Sequence, residues 1–437
     1  MKTRPSTRRA FLQTALCSAA PLILPSRVLG QMAPSRRITV AMIGTGRQAM
    51  HSNLPWFLNC ETTQVVAVCD VDRWRLQEAK TKVDQHYRNS ACRTYTDWRE
   101  VLARDDIDAI MNSTADHWHV PIALAAVRRG KHVSCEKPLT LSVNEGRALA
   151  AAAKRHGVTF ATDSECRSHA YMHKTAELVR NGYIGQIQRI EVGVPTGDVA
   201  GGDPTPTQVP AELDYEMWMG PAPLKPYCLD RVHPRQSFGR PGWMRCRDTC
   251  EGMITNWGTH TLDVAQLVNN TERTGPVSVE CTGKYPAPGS GLWGVLLSFR
   301  AQFKYGNGVI LDYFTADHAY VRVEGAEGWI HANWTGKGGL QASKPELLRL
   351  KLKAGDLHLP PRSEKVDFVY GITERAPTMA DAEVGHRTCS LGQIAHIAIQ
   401  RAKRLAWDPQ AERFTNDDGA NALLSRPCRA PWKPEGA

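Results

Sequence analysis

The first thirty residues contain no acid at all, although Lys2, Arg4, Arg8, Arg9 and Arg27 all lie there. Half of the chain's formal net charge of +10 is therefore confined to one short segment. Elsewhere the basic residues are scattered. They form no stripe and no platform of interleaved aromatics, so nucleic acid is not an expected partner. The chain also lacks any C-x-x-C pair. Cys246 and Cys250 are its closest cysteines, and twelve thiols spread over 437 residues read as buried side chains, not as a disulfide framework. Long hydrophobic runs are missing too. The one membrane-like stretch, Ala15 to Leu24, is broken by Pro21 and followed by Pro25. It falls short of the ~20 apolar residues that a span needs, so no membrane span is expected in the mature protein.

What the first segment does have is "STRRAFLQ", with Arg8 and Arg9 adjacent and Phe11 and Leu12 behind them. This is the pattern of a twin-arginine export signal. Residues 1–30 are read as that signal, with cleavage after Gly30. Cys17 follows Leu16, which is too large for a lipoprotein site. The expected location is the periplasm, or another compartment reached by the same route. That route carries proteins already folded, so a bound cofactor would travel with them. The rest of the chain, 42% hydrophobic and 22% charged overall, is long enough for two to three domains with real cores.

"RITVAMIGTGRQAM" opens the mature fold. Ile38 to Ile43 is a strand pattern, and it runs into Gly44-Thr45-Gly46-Arg47-Gln48-Ala49, a G-x-G-x-x-A turn that starts a helix. Glycines permit a tight turn and close approach of backbone to a pyrophosphate, while the helix start offers unpaired N–H donors. A plain strand–turn–helix would look the same in isolation. The next strand, "QVVAVCDVD", ends at Asp70, where an acid can accept hydrogen bonds from ribose hydroxyls and would repel a 2′-phosphate. NAD is thus favoured over NADP; the competing reading of Asp70 is a helix N-cap. Strand and helix patterns then alternate through "DWREVLAR", "IDAIMNST", "HVPIALAAVRRG", "HVSCE", "SVNEGRALAAAAKRHG" and "VTFAT". This predicts a doubly wound parallel Rossmann sheet over residues 38–162. "STADHWH" and "CEKPLT" fall at strand carboxyl ends, where such sheets bind ligands.

Ser113 to His119 and Glu136-Lys137-Pro138, at this distance from the glycine turn, resemble the Gfo/Idh/MocA oxidoreductases. The likeness continues through "RSHAYMHKTAELVRNGYIGQI", "WMGPAP", "NWGTHTLD", "EVGHR" and "LLSRPCRAPW". It implies a second α/β domain over residues 163–437, built on a large, mainly antiparallel sheet that carries the substrate face. It also implies that Lys137 is the active-site lysine and His260 the catalytic histidine, and that "DHWH" lies beside the cofactor. Thr114, His117, Glu136 and Lys137 are accordingly expected at the cofactor, together with Gly44, Thr45, Gly46, Arg47, Gln48 and Asp70. Self-association through the exposed sheet is implied as well.

The residue types suit that chemistry. An ammonium at Lys137 can hold a sugar hydroxyl and stabilise charge on its oxygen. A histidine with an ordinary pKa of about 6.5 can accept a hydroxyl proton. Asn256 and His260 stand i, i+4 on a helical pattern, and Gly258 between them is read as letting that face approach a ligand. Asn256 departs from relatives that carry aspartate there; an amide can orient a hydroxyl but cannot take its proton. Asp263 either orients the imidazole or bonds locally. His117 and His119 have no third metal ligand in view, so no metal is expected, and Trp118 can pack on a ring. Glu165 and Arg167 are expected at the domain junction. Tyr227, Arg231, His233, Arg240 and Trp243 suit either a sugar or packing. The expected activity is nicotinamide-dependent oxidoreduction of a sugar CH–OH, with the cofactor retained and recycled within each cycle. Glycoside cleavage through transient oxidation is one alternative, and a non-catalytic sugar-binding protein is another.

Overall fold

The computed structural model describes residues 37–432, so the twin-arginine segment and its cleavage site lie outside the described residues. Strand β1 (Ile38–Ile43) is buried at every position but one. It sits inside a sheet covered by helices on both faces, which is why it reads as an apolar run without alternation. With β2 (Thr63–Cys69), β3 (Arg93–Tyr95), β4 (Ala109–Asn112), β5 (His132–Cys135) and β6 (Phe160–Thr162) it forms a parallel sheet of order 3-2-1-4-5-6. The order reverses between β1 and β4, and the crevice beyond their carboxyl ends is the natural ligand site.

The crossover helices are α1 (Leu54–Asn59), α2 (Arg73–Tyr87), α3 (Trp98–Leu102), α4 (His119–Arg128) and α5 (Val143–His156). Local chemistry sets their ends. Asp72 caps α2 by accepting from the backbone of Trp74 and Arg75. Ser142 and Glu145 form a capping box on α5, and Gly157 closes it in the left-handed region.

The second sheet has nine strands. They are β7 (Ile187–Pro195), β8 (Pro276–Lys284), β9 (Ser298–Tyr305), β10 (Ile310–Ala316), β11 (Tyr320–Gly325), β12 (Gly328–Asn333), β13 (Leu340–Ala342), β14 (Leu405–Asp408) and β15 (Arg413–Phe414). Their order is 13-12-11-7-10-9-8-14-15, and only the β7–β10 pair is parallel. One face packs on α6 (Ala170–Arg180), α7 (Gly258–Val268) and α9 (Ala382–Arg401), with Tyr313, Phe303 and Tyr305 fully buried between. The fold is therefore the expected one: a Rossmann sheet followed by an α/β domain with a mainly antiparallel sheet.

The chain also returns to the first domain. In α8 (Glu364–Thr373), Phe368 packs edge-on against Phe57 of α1, and Lys365 pairs with Asp163 at 3.0 Å. In α9, Glu383 meets Arg147 of α5 at 2.6 Å. These contacts fix the two sheets relative to each other and so fix the cleft between them.

Candidate active site

Beyond the carboxyl ends of β1, β4 and β5 lies a cleft of about 560 Å³, bounded by both domains. At one end is the glycine turn. Gly44 has φ +83°, and a Cβ there would stand 2.6 Å from the Thr114 nitrogen and 2.7 Å from the Ser113 carbonyl. Only glycine fits that approach. Gly46 is different: nothing lies within 4 Å of where its Cβ would be, and it faces the cleft. Bare backbone and a helix start at Arg47, both on open space, suit a pyrophosphate.

Asp70 lines the same wall. Its Oδ2 accepts from the Thr45 amide at 2.7 Å and the Thr45 hydroxyl at 3.1 Å, and its Oδ1 accepts from the Asp72 amide at 2.9 Å. The helix N-cap is Asp72, not Asp70. Asp70 instead ties the end of β2 to the glycine turn. A carboxylate has roughly four acceptor positions, so about one remains for a ribose hydroxyl.

At the other end are Lys137, Asn256 and His260. Lys137 follows β5, and its Nζ stands 3.4 Å from Asn256 Oδ1 and 3.5 Å from the Asn256 carbonyl. Glu136, 6% exposed, accepts at 2.9 Å from Asn53 Nδ2, which also donates to Ser113 Oγ at 2.8 Å. Asn53 reaches them because the helix after the glycine turn is π-wound over Ala49–Asn53, a deformation that often accompanies functional sites. Asn256 ends the short helix Met253–Asn256, Trp257 makes the joint, and His260 occupies the first turn of α7.

His260 is 3% exposed, and its Nδ1 has no hydrogen-bond partner. Burial, aided by the nearby Lys137 ammonium, pushes the imidazole well below its ordinary pKa. It is neutral and so able to accept a proton. Trp334, from the turn after β12, lies 4.5 Å from the imidazole, with Trp257 behind it.

Several residues lie elsewhere than their sequence context indicates. His117 does not reach the cleft; its Nε2 meets the Trp218 carbonyl at 2.9 Å and its ring packs against Trp218. Thr45 is buried and engaged with Asp70 instead of lining the cleft. Gly258 does not face a ligand, since its missing Cβ makes room for the Tyr313 hydroxyl. Asp263 does not orient His260. It is bound to Arg167 at 2.6 and 2.7 Å and to Ser164 at 2.6 Å. Arg167 is thereby committed to structure, while Glu165 lines the cleft with its carboxyl pushed up by burial. His119 bonds the carbonyls of Pro138 and Thr114. Among the described residues, no group of three or more His, Cys, Asp or Glu is placed to hold a metal. His233, Arg240, Trp243 and Trp118 line the cleft, whereas Tyr227 and Arg231 pack away from it.

Sequence reasoning missed Asp116, Trp257 and Trp334, all of which line the cleft. Asp116 is 3% exposed and its Oδ2 has no partner. Burial raises its carboxyl to about 7, against the opposing pull of Cys250 and Lys137. It stood in plain view within "STADHWH", but nothing in the sequence announces a buried carboxyl with one oxygen unpartnered. Trp334 lies 197 positions beyond Lys137, and no spacing rule connects them.

Residues 38–164 match an oxidoreductase family described by its NAD-binding Rossmann fold, and residues 172–434 match that family's C-terminal alpha/beta domain. A glycosyl hydrolase family 109 protein of Shewanella sp. (strain MR-4) is 31% identical over 170 residues, 37% of this chain and 36% of that protein. The chain matches less than half the length of the curated relatives it resembles. An aldose-aldose oxidoreductase from Caulobacter crescentus, complexed with glycerol, superposes with a TM-score of 0.63 at 19% identity, over 85% of this chain and 100% of that one. The WlbA dehydrogenase from Bordetella pertussis, in complex with NADH and UDP-GlcNAcA, gives 0.63 at 14% identity, over 85% and 99%. At these identities the likeness is one of fold. The two family matches together cover both sheets and nearly all of the residues that line the cleft, and the chain belongs to the Gfo/Idh/MocA family of oxidoreductases.

Proposed function

We propose that this protein oxidises, and within the same cycle re-reduces, a CH–OH group of a sugar or sugar derivative, using a nicotinamide dinucleotide that it retains. The observation that carries the reading is the single cleft joining Gly44, Gly46 and Asp70 at one end to Lys137, Asn256 and His260 at the other. The glycine turn and acidic strand end fit a dinucleotide, which when bound supplies the acceptor and donor of hydride. His260, held neutral, takes the hydroxyl proton as the C–H bond breaks and returns it on reversal. Lys137 holds the reacting oxygen and steadies its negative charge, and Asn256 keeps the ammonium in position. Trp257 and Trp334 exclude water from the imidazole and present ring faces to the substrate.

Retention follows from the export reading. A protein carried out folded meets little free dinucleotide afterwards, so each turnover has to restore the form it began with. In the same reading the mature protein resides outside the cytoplasm; self-association through the exposed sheet is a separate expectation that comes from the family likeness. Purified without added NAD, the protein should release dinucleotide on heat denaturation. Mixed with a panel of aldoses and glycosides, it should develop reduced-nicotinamide absorbance. A folded protein with neither bound dinucleotide nor affinity for one would overturn the proposal.

NAD is the favoured form. Asp70→Ala should weaken NAD by about 1.5–3 kcal/mol, the worth of a charge-assisted hydrogen bond, and weaken NADP less. Titration of both cofactors by nicotinamide fluorescence measures this, and equal losses would remove Asp70 from ribose recognition.

A second reading is glycoside cleavage by oxidation, elimination and re-reduction. Two observations favour it: the glycosyl hydrolase family 109 relative, and Asp116. A carboxyl near pKa 7 on the cleft wall can remove a C–H proton acidified by an adjacent ketone, then return one to the product. Product analysis on the same glycoside panel separates the two readings.

A further inference from the structure

The acidic end of the cleft is not walled by the Rossmann domain alone. Immediately after Asp70 the chain is gripped by a segment of the second domain. The Asp214 amide donates to the Val71 carbonyl at 3.0 Å, and the Arg73 amide donates to the Glu212 carbonyl at 2.9 Å. Asp72 then pairs with Arg75 at 2.8 Å and with His233 at 2.9 Å. Arg75 is 2% exposed. Its Nη2 donates to the Pro234 carbonyl at 2.7 Å and to the Ser237 carbonyl at 2.5 Å.

These bonds arch residues 233–241 across the cleft. Phe238 lies at the crest, 5.1 Å from the Trp74 ring and 6.1 Å from His51, with the Arg75 guanidinium 5.8 Å from its centroid. Phe238, Ser237 and Gly239 line the same cavity as Gly46, Arg47 and Asp70. A buried arginine spending two donors on the carbonyls of a distant loop is costly to desolvate unless the loop is meant to stay where it is. His233 pairs with Asp72, Arg235 pairs with Glu212 at 2.8 Å, and Phe238 packs on the Rossmann core, but Arg75 is the buried side chain that holds two of the strap's backbone carbonyls.

We propose that this strap is part of the dinucleotide site: Phe238 is a contact face for the adenine ring, and Arg75 fastens the strap so that the cofactor leaves only when it opens. The inference rests on the reading that the cleft holds a dinucleotide, and it supplies a physical basis for retention. An adenine ring has an apolar face suited to an aromatic side chain, and Asp70, which lines the same cavity, can hold the ribose next to it.

The test uses the full-length protein loaded with NADH. Chasing with excess NAD while following NADH fluorescence gives the dissociation rate. Phe238→Ala and Arg75→Lys should each release NADH about 10-fold faster or more, a change equal to about 1.4 kcal/mol. Phe238→Ala leaves the Asp72–Arg75 pair intact, so it reports on the strap even if the arginine variant folds poorly. Phe238→Ala should also weaken ADP-ribose and leave nicotinamide mononucleotide unaffected. Wild-type release rates in a folded Phe238→Ala protein, or equal loss of both fragments, would overturn the assignment while leaving the dinucleotide reading intact. Failure of the wild type to bind NADH would sink both.

Discussion

Replacing His260 by alanine should slow single-turnover reduction of the bound nicotinamide by about 10²–10⁴-fold, the ordinary worth of a general base. Dinucleotide content should be unchanged, because Gly44, Gly46 and Asp70 stand at the other end of the cleft. Lys137→Ala should cost a similar factor, and the double variant little more than either alone, since both groups would act on one oxygen and its proton. The pH dependence has a definite sign. An imidazole pushed below its ordinary pKa by burial and by Lys137 stays unprotonated through neutrality and into mild acid. The wild-type rate should therefore be flat from pH 8 down to about pH 6.5, the ordinary histidine value, and fall only below it. Asn256→Asp puts a carboxylate 3–4 Å from the ammonium, where the amide oxygen now stands at 3.4 Å. That offsets the positive charge, raises the histidine's pKa, and moves the fall to higher pH. Rapid-mixing absorbance across a pH series measures all of this. If His260→Ala reduces its nicotinamide at the wild-type rate, the histidine is a packing residue.

Asp263→Ala should destabilise the fold by about 3–5 kcal/mol, the cost of breaking a buried ion pair by deleting one partner. Both members are sequestered, with side-chain exposures of 6% for Arg167 and 1% for Asp263. Deletion strips the guanidinium of two bonds and leaves Ser164 and Thr388 without their acceptor. Glu272 still holds Arg167 at 2.7 Å, which keeps the loss toward the lower end of that range. Asp263→Asn preserves the shape but not the charge and should lose less. Denaturant unfolding measures the stability, and the pH profile of nicotinamide reduction serves as the control. A structural role predicts a large drop in stability with an unmoved profile. A variant within 1 kcal/mol of wild type but with a shifted profile would return Asp263 to the imidazole.

The same contrast separates what was legible in the sequence from what was not. Strand β1, the glycine turn and the alternation through Thr162 were readable because each is a local pattern. Strand β3 was not, because Arg93–Tyr95 is three residues long with two exposed, too short and too polar to show a period. Lys137 and His260 were singled out by motif, and the structure brings both to one cleft with Asn256. His117, taken from the same kind of motif, turned away, because its ring nitrogen found the Trp218 carbonyl 101 positions along the chain.

The layered fold, the order of the Rossmann elements and the short segments that end at the cleft are all legible in the residues alone. Period, capping residues and turn glycines act over a few residues, and the chain obeys them before it is compact. Which partner each polar group takes was settled by contacts between distant parts of the chain. Asp263 chose Arg167 over His260, Gly258 made room for Tyr313 and not for a ligand, and Asp116 kept one carboxyl oxygen without a hydrogen-bond partner. Arg75 crossed some 160 positions to hold the strap at Pro234 and Ser237. Such choices depend on how little water remains around each group and on which donor folding brings within 3 Å. Neither quantity exists until the two domains have closed on each other.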